Sequence, residues 1–261
     1  MILKDVAGMA SGWLRGLRPL ILEGMKKAER GDTKGDISPV TTTDVAVETA
    51  LCAAIDFAYP SQNIIGEELP PRLQGSPYTW YIDPLDGTKS FITGRPLFGV
   101  LLGLCHEGVP VLGLAYQPVT DELWLGGQGV PARCNTDEIQ CNASITALSD
   151  AILATTAPDC FNAEEYARFQ RVHPHARFCQ WGGDWHNYAL LARGGVDVVI
   201  EAGLKPHDIL PLVPIIEAAG GTVRGWDNAP IREGASSYHV IAAANTQLLD
   251  AARECMLSVA K

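Results

Sequence analysis

The sequence lacks the features that would assign the chain to a membrane, secreted or nucleic-acid-binding class. None of its 261 residues lies in an uninterrupted apolar run of about 18 residues, the length that predicts a membrane span. The N-terminal segment carries charges inside its apolar part, which is not the layout of a secretory signal. A formal net charge of −10 argues against binding to nucleic acid. We therefore expect neither a membrane nor a nucleic acid as a partner.

The seven cysteines do not form a recognisable metal or disulfide pattern. Their number is odd, and no two of them form a CxxC pair. Cys134 and Cys141 are the closest two, and they lack the second His/Cys pair that a zinc site needs. The simplest interpretation is a set of reduced, mostly buried thiols. This cysteine usage predicts a cytoplasmic location.

The stretch with the clearest chemistry reads DPLDGTKSF and spans residues 83–91. An apolar, strand-like segment precedes it. Pro84 lacks an N–H group and restricts Asp83 to extended conformations, so a regular helix cannot run through this stretch. The step from Asp86 to Gly87 favours a turn. The sequence therefore predicts a strand end that presents two carboxylates beside a tight turn.

Oxygen atoms and N–H groups should meet in one small volume at this turn. Two carboxylates and the carbonyl of Leu85 suit a hard cation such as Mg²⁺, while the N–H groups of Gly87 and Thr88 suit a phosphate oxygen. A DxxDG pattern by itself is also typical of an acidic hairpin turn. The longer string is more specific. It resembles the signature DPxDGTxxF of the inositol monophosphatase family of Mg²⁺-dependent phosphatases and matches it at every fixed position.

A second signature of that family lies far downstream. The string KPHDILP at 205–211 and the string EAAGG at 217–221 resemble its Trp-Asp pair, Ala-rich helix and Gly-Gly end. The aromatic residue before the acid is replaced here by His207. We interpret His207 as a packing or neighbouring residue rather than a metal ligand, because Asp208 beside it already matches that role. The resemblance extends from about Asp36 to Asn245.

The hydrophobic pattern predicts two different halves. Helices are expected up to about residue 30, with a break at Gly16 and Pro19, and again from residue 44, where Thr43 could provide the cap. Short apolar runs between residues 98 and 125 predict an antiparallel meander, followed by a turn-rich segment at 126–147. Strands and helices then alternate, including a helix expected at 208–219.

This alternation indicates a layered α/β or α+β architecture. The resemblance implies the layered αβαβα fold of sugar-phosphatase type, with an antiparallel N-terminal sheet and a smaller C-terminal α/β half. It also implies one phosphatase domain over residues 1–261, with approximate halves 1–147 and 148–261.

The resemblance implies a metal site assembled from distant segments. Two or three Mg²⁺ ions per site are expected, and two-metal phosphatase sites have ion spacings of about 3.5–4 Å. The groups that match the family's metal ligands are Glu67, Asp83, the Leu85 carbonyl, Asp86 and Asp208.

The resemblance also assigns catalytic roles. Thr88, paired with Asp44, and Glu67 match the groups that act on the attacking water, and the N–H groups of Gly87 and Thr88 would receive phosphate oxygens. A glycine-rich loop at 34–38 matches the segment that closes over the family's site. The expected reaction is direct attack of a metal-activated water on a phosphate monoester. The two-residue separation of Asp83 and Asp86 does not fit the DxDxT motif of phosphatases with an aspartate nucleophile.

Substrate choice depends on a different stretch. The Gly-Gly-Asp turn at 182–184 and the string GLKPxD at 203–208 resemble the histidinol-phosphate phosphatase branch of the family. The residues predicted to bind substrate are Asp86, Asp184, Glu201 and Asp208. Asp184 and Glu201 would complement the cationic groups of histidinol, although Asp184 could equally cap a helix and Glu201 could be a surface or structural acid.

Two alternatives stay open. The first is an inositol monophosphatase or a broad sugar-phosphate or nucleotide phosphatase, and the second is a non-catalytic metal-binding regulatory homologue. The partner is in each enzymatic case a small-molecule phosphate monoester. The resemblance further implies a homodimer.

Overall fold

The chain begins with helices whose boundaries follow its glycine and proline residues. The computed structural model describes residues 2–27, 32–33, 39–40 and 42–258. The first three helices are α1 (Leu3–Gly16), α2 (Arg18–Lys26) and α3 (Thr42–Ala58). Pro19 lies in the first turn of α2, where a missing N–H breaks no helical hydrogen bond, so the predicted break is confirmed.

Two predictions for this region have other outcomes. Thr43 lies inside the first turn of α3, which begins one residue earlier, so the predicted capping role of Thr43 is wrong. The loop at 34–38 that we expect to close over the site lies outside the described residues. On either side of it, β1 (Asp32–Thr33) and β2 (Pro39–Val40) pair antiparallel.

The first half forms a seven-stranded sheet in which neighbours along the chain are also neighbours in space. Its strands are β3 (Asn63–Gly66), β4 (Tyr78–Asp86), β5 (Gly99–His106), β6 (Val109–Gln117), β7 (Glu122–Gly127), β8 (Val130–Cys134) and β9 (Asp137–Glu138). Pairing is antiparallel throughout except that β3 runs parallel to β4. The predicted meander is confirmed. The turn-rich prediction for 126–147 missed β8 and β9, because β8 is only five residues long and contains Pro131, and β9 consists of two exposed acids.

The second half forms a five-stranded mixed sheet. Its strands are β10 (Ile152–Thr155), β11 (Phe178–Trp181), β12 (Val198–Leu204), β13 (Thr222–Gly225) and β14 (Tyr238–Ala243), in the spatial order β11-β10-β12-β14-β13. The remaining helices are α4 (Thr88–Ile92), α5 (Ala163–Val172), α6 (Trp185–Ala192), α7 (Pro206–Ile209), α8 (Leu212–Ala218) and α9 (Thr246–Leu257). β10 pairs parallel with β11 and β12, and β14 pairs antiparallel with β12 and β13.

The two sheets and the helices stack in five layers. α1 and α3 contact one face of the seven-stranded sheet, and α8 contacts its other face. α6 and α8 also contact the five-stranded sheet, whose far side carries α5 and α9. Two buried apolar cores result, one on each face of the larger sheet. The predicted αβαβα architecture is confirmed.

One predicted helix is divided. The segment 208–219 contributes to both α7 and α8, which are separated at Leu210 and Pro211. Pro211 has no N–H group to continue the hydrogen-bond ladder of the first helix, and it lies in helical conformation immediately before α8. The short α7 consequently ends against the first half of the molecule, where it contacts β4 and β5. This contact brings Asp208 towards the DPLDGT motif.

Two observations concern the expectations about membranes and thiols. Within the described part of the chain, no helix combines the length and apolar character needed to cross a bilayer. All seven cysteines lie in that part and none is in a disulfide. Cys52, Cys105, Cys134 and Cys141 are buried, whereas Cys160 is exposed.

Candidate active site

A cavity of about 360 Å³ lies where the two halves meet. It is lined by side chains and backbone from both sheets and from the helix starts beside them. Nine of the ten predicted site residues are among its lining residues: Glu67, Asp83, Leu85, Asp86, Gly87, Thr88, Asp184, Glu201 and Asp208. The structure therefore brings together acids that are separated by up to 141 positions (208 − 67) in the sequence.

A β-bulge in β4 directs both carboxylates of the motif into this cavity. Asp83 pairs with Leu101 and Asp86 with Gly99 on β5, so β4 has one residue more than its partner over this interval. In a regular strand, residues three apart point to opposite faces, and one extra residue restores them to the same face. Pro84, which cannot donate to the ladder, lies inside the bulge.

The core residues around the bulge show the same reversal of faces. Trp80 and Ile82 pack in the core beneath α1 and α3, as alternation requires, and Tyr81 packs in the core on the other face. Leu85 is an odd-numbered residue, yet it packs with Trp80 and Ile82. The anchoring of Leu85 on that face leaves Asp86 directed towards the cavity.

The turn after β4 is held by its own side chains. The Asp83 carboxylate accepts a hydrogen bond from Leu85 N–H at 3.0 Å, and the Thr88 hydroxyl donates to the Leu85 carbonyl at 3.1 Å. Gly87 has φ +83°, a conformation that a side chain would strain, and it precedes α4 directly. These contacts fix the Leu85 carbonyl, the Thr88 hydroxyl and the Asp83 carboxylate relative to one another.

Glu67 is positioned by a buried acid that sequence reasoning missed. Glu48, on α3 and 0% exposed, accepts hydrogen bonds from Glu68 N–H at 2.8 Å and Leu69 N–H at 2.9 Å. Gly66 allows this approach, because a Cβ there would lie 2.0 Å from Glu48 Oε1. Burial raises the pKa of Glu48, and the two backbone donors oppose that rise. The sequence did contain a signal for Glu48, because it is a charged residue four positions after Asp44 and lies on the apolar side of a helix.

Asp208 is held by the backbone of its own short helix. Its carboxylate accepts a hydrogen bond from Lys205 N–H at 2.7 Å, and its other oxygen lies 3.3 Å from Nε2 of His207. One ligand atom from each of Glu67, Asp83 and His207 lies within 4.8 Å of the other two. His207, which the sequence indicates is a packing or neighbouring residue, thus lies beside the predicted metal ligands, and its role stays a prediction.

The acids of the motif lie in an environment that opposes their ionisation. Burial, and then the charges of Asp86, Glu67 and Asp208, raise the pKa of Asp83 well above its usual range. Burial, and then the charges of Asp184 and Asp208, raise the pKa of Asp86 in the same way. Burial also raises the pKa of Asp208, against the opposing effect of His207 and Lys205. Clustered carboxylates whose ionisation is this unfavourable require a positive charge between them when they are ionised.

The donor set fits a hard divalent cation. It combines carboxylate oxygens with a backbone carbonyl, which are the ligands that Mg²⁺ prefers. The charges acting on Asp83 and Asp86 come from other acids, so a bound cation would supply the compensation that the surrounding protein does not.

Asp184 does not act as a helix cap. It occupies the N-cap position of α6 with φ +47°, but its side chain makes no capping hydrogen bond, so the alternative capping role is wrong. Its carboxylate instead approaches the turn of the motif, with Oδ2 3.2 Å from where a Cβ of Gly87 would lie. Burial raises the pKa of Asp184, while Lys89 and Arg95 lower it. Both of these cationic residues line the cavity and were missed by the sequence analysis.

Glu201 is buried in the cavity wall, which rules out the alternative of a surface acid. It accepts hydrogen bonds from the N–H group and the hydroxyl of Thr156, at 3.0 and 2.5 Å, and from the Tyr188 hydroxyl at 3.0 Å. Burial raises the pKa of Glu201 to about 7, and those donors limit the rise. The side chain thus joins β10, β12 and α6 while it faces the cavity.

Asp44 is the tenth predicted site residue. It is buried, 3% exposed, in the first turn of α3. It is not among the described residues that line the cavity. Its pairing with Thr88 therefore stays a prediction.

Comparison with solved structures identifies the class of protein. The inositol monophosphatase from Zymomonas mobilis is 35% identical, with a TM-score of 0.84 over 98% of this chain and 99% of that one. The inositol monophosphatase from Anabaena is 27% identical, with a TM-score of 0.85 over 100% of this chain and 98% of that one. The chain is a phosphatase of the metal-dependent phosphomonoester hydrolase class.

The family follows from the sequence comparison. The inositol monophosphatase family matches residues 3–257, and the chain belongs to it. The chloroplastic bifunctional phosphatase IMPL2 of Arabidopsis thaliana is 42% identical over 231 residues, which cover 85% of this chain and 66% of that protein. The histidinol-phosphatase of Chlorobaculum parvum is 30% identical over 189 residues, covering 72% of this chain and 73% of that one. The resemblance drawn from the motifs is confirmed.

Proposed function

We propose that this phosphatase hydrolyses L-histidinol phosphate to L-histidinol and phosphate, with Mg²⁺ as its cofactor. The observation that carries the phosphatase chemistry is the convergence of Glu67, Asp83, Asp86 and Asp208 in one cavity, with raised pKa values at the three aspartates. We further propose that residues 1–261 act as one catalytic unit, since acids from both halves line that cavity.

The metal would be held by oxygen atoms of the chain. Glu67, Asp83, the Leu85 carbonyl, Asp86 and Asp208 would bind two or three Mg²⁺ ions. Bound Mg²⁺ would lower the pKa of a water molecule and screen the negative charge of the phosphate.

The remaining residues would orient the reacting groups. The N–H groups of Gly87 and Thr88, at the start of α4, would donate to phosphate oxygens. The Thr88 hydroxyl already points to the Leu85 carbonyl and would accept a hydrogen bond from the attacking water. For Asp44 to receive the proton, the Thr88 hydroxyl would turn from the Leu85 carbonyl and donate to Asp44, and Glu67 would hold the water on its other side. Attack in line with the ester bond then displaces the alcohol.

Two observations support histidinol phosphate. Histidinol-phosphatases are among the relatives of this chain, including one from Mycobacterium tuberculosis that is 29% identical over 80% of this chain. In addition, Asp184 and Glu201 face the cavity and would complement an ammonium or imidazolium group. Asp86 and Asp208 would contact the ester end of the same molecule.

A second candidate is an inositol monophosphatase or a broad sugar-phosphate phosphatase. Lys89 and Arg95 line the same cavity and lower the pKa of Asp184, so the pocket is not purely anionic. A second phosphate or a neutral polyol is compatible with that mixture of charges.

A phosphate-release panel with Mg²⁺ separates these candidates. It compares histidinol phosphate with inositol 1-phosphate, fructose 1,6-bisphosphate and adenosine 3′,5′-bisphosphate. We expect the highest kcat/KM for histidinol phosphate. A much higher value for inositol 1-phosphate would overturn the substrate assignment and leave the phosphatase class intact.

Two substitutions test the roles of the acids. Asp86→Asn should abolish Mg²⁺-dependent phosphate release from every ester, and full retention would contradict the metal assignment. Asp184→Asn should lower kcat/KM for histidinol phosphate at least tenfold more than for an uncharged ester. Asp250→Asn, an exposed change on α9, makes the same charge difference and serves as the control. Equal losses for both esters would remove Asp184 from substrate recognition.

We also propose that the protein is a homodimer and that it is cytoplasmic. A homodimer predicts a mass of twice 28.0 kDa by light scattering. A cytoplasmic location is predicted from the cysteine usage and is checked by fractionation of cells that express the tagged protein.

A further inference from the structure

His207 occupies a position in the metal centre where a nitrogen ligand is possible. It follows Pro206 in the four-residue helix α7, which places its ring near Glu67, the residue after β3, and Asp83 of β4. Only 12% of its side chain is exposed. Its departure from the family signature, which has an aromatic residue before the acid, is therefore a change inside the site.

The distances allow one ion to bind three residues. Ligand atoms of Glu67, Asp83 and His207 lie within 4.8 Å of one another. Nitrogen and oxygen ligands bind divalent transition metals at about 2.0–2.2 Å, so two ligands on one ion are at most about 4.4 Å apart. Three ligands spaced evenly around one ion at about 2.2 Å are about 3.8 Å apart, so side-chain shifts of up to about 1 Å would bring all three atoms into one coordination shell.

The contacts of Asp208 show the direction in which the imidazole of His207 faces. One oxygen of Asp208 is engaged by Lys205 N–H at 2.7 Å, and the other lies 3.3 Å from His207 Nε2. The Nε2 atom is thus directed towards Asp208, another acid of the site.

We propose that His207 Nε2 is a ligand to a divalent ion that Glu67 and Asp83 also bind. This inference rests on the metal site of the proposed function and extends it to the identity of the ion. An imidazole favours first-row transition ions such as Co²⁺ and Zn²⁺, and to a smaller extent Mn²⁺, over Mg²⁺, which prefers oxygen. The centre of this chain accordingly binds Mn²⁺ more tightly, relative to Mg²⁺, than the same centre without the imidazole.

Pulsed electron paramagnetic resonance of the Mn²⁺-loaded protein tests the bond directly. The full chain is stripped with a chelator and loaded with Mn²⁺, and modulation from a directly bound ¹⁴N nucleus is recorded. We expect this modulation in the wild type and in His175→Gln, an exposed histidine that serves as the matched control. It should be absent in His207→Gln. Growth with ¹⁵N-histidine should convert the signal to the ¹⁵N pattern without any substitution.

Calorimetric titration gives the second readout. We expect His207→Gln to bind Mn²⁺ about tenfold or more weakly, the scale on which even indirect partners of metal ligands act, with a smaller loss for Mg²⁺. Stoichiometric Mn²⁺ binding without nitrogen modulation would refute the proposal and reduce the contact to an ion pair. The proposed function would survive that result if Mg²⁺-dependent phosphate release persisted. A protein that binds neither ion would refute both.

Discussion

Glu48 offers a test of how a residue outside the cavity controls the metal site. Its carboxylate is buried and accepts the N–H groups of Glu68 and Leu69, the two residues that follow Glu67. The orientation of Glu67 therefore depends on an acid that belongs to another element. The substitution Glu48→Gln keeps the shape of the side chain and replaces one accepting oxygen with an NH₂ group.

The expected cost follows from the two hydrogen bonds. A glutamine accepts one of the two N–H groups well, and leaving a buried donor unpaired costs about 1–3 kcal/mol. Glu68 lies nearby and its charge raises the pKa of Glu48, so neutralising Glu48 also removes a repulsion. We therefore expect a loss near the lower limit, about 1 kcal/mol, which corresponds to a fall in Tm of about 2–4 °C for a chain of this length.

The metal site should respond more strongly than the fold. Because Glu67 would lose its fixed orientation, we expect the Kd for Mg²⁺ to rise about tenfold, as is common when a residue that supports a metal ligand is changed. Calorimetry measures this Kd, and phosphate release at limiting and saturating Mg²⁺ reports the same loss kinetically. Excess Mg²⁺ should restore most of the activity.

The control is Glu254→Gln, which changes the same atoms at an exposed position on α9. It should alter neither Tm nor Mg²⁺ affinity. A lowered Tm with unchanged Mg²⁺ affinity in Glu48→Gln would refute the link between Glu48 and Glu67. Unchanged values of both would show that the two hydrogen bonds contribute little.

Three further predictions concern the same site. Gly66→Ala places a Cβ 2.0 Å from Glu48 Oε1, so Tm and Mg²⁺ affinity should fall together; calorimetry showing normal affinity would contradict this. In EDTA, Asp86→Asn should melt a few degrees higher than the wild type, because a carboxylate with a raised pKa is removed; a lower Tm would contradict the repulsion. The stability gained on adding Mg²⁺ should grow between about pH 5 and pH 8. In this range Asp83, Asp86 and Glu201 hold protons in the folded chain that the unfolded chain has released, and the pKa of Glu201 is about 7. Scanning fluorimetry with and without Mg²⁺ measures this trend, and an equal gain at both limits would refute it.

The residues of the DPLDGT motif were predictable because a short stretch of sequence specifies their chemistry. The string around Asp83 and Asp86 fixes residue types at positions that a turn requires, and the apolar runs that follow fix the meander. The short strand β8 was not predictable, since Pro131 lies inside it and its extended conformation is evident only from its pairing with β7.

The support of the site was harder to predict than its ligands. In the sequence, little distinguishes Glu48 from the other charged residues of a helix. Its role is evident only because the fold brings residues 68 and 69 beside it. Lys89 and Arg95 carry no pattern that separates them from surface residues, yet they line the cavity. The packing of the two halves, which includes the contact of α7 with β4, places Lys89 and Arg95 in one cavity with acids of the second half.

The bulge in β4 makes the site depend on the number of residues in a strand as well as on their identity. Deleting either Pro84 or Leu85 would allow regular pairing with β5 and could leave the sheet more uniform. The second aspartate of the motif would then lie two positions after Asp83. Leu85 would be lost from the apolar core or displaced within it. Every acid of the site would still be encoded, yet its distance from the others would change. A single-codon deletion can therefore disrupt this centre while leaving all of its acids in the sequence.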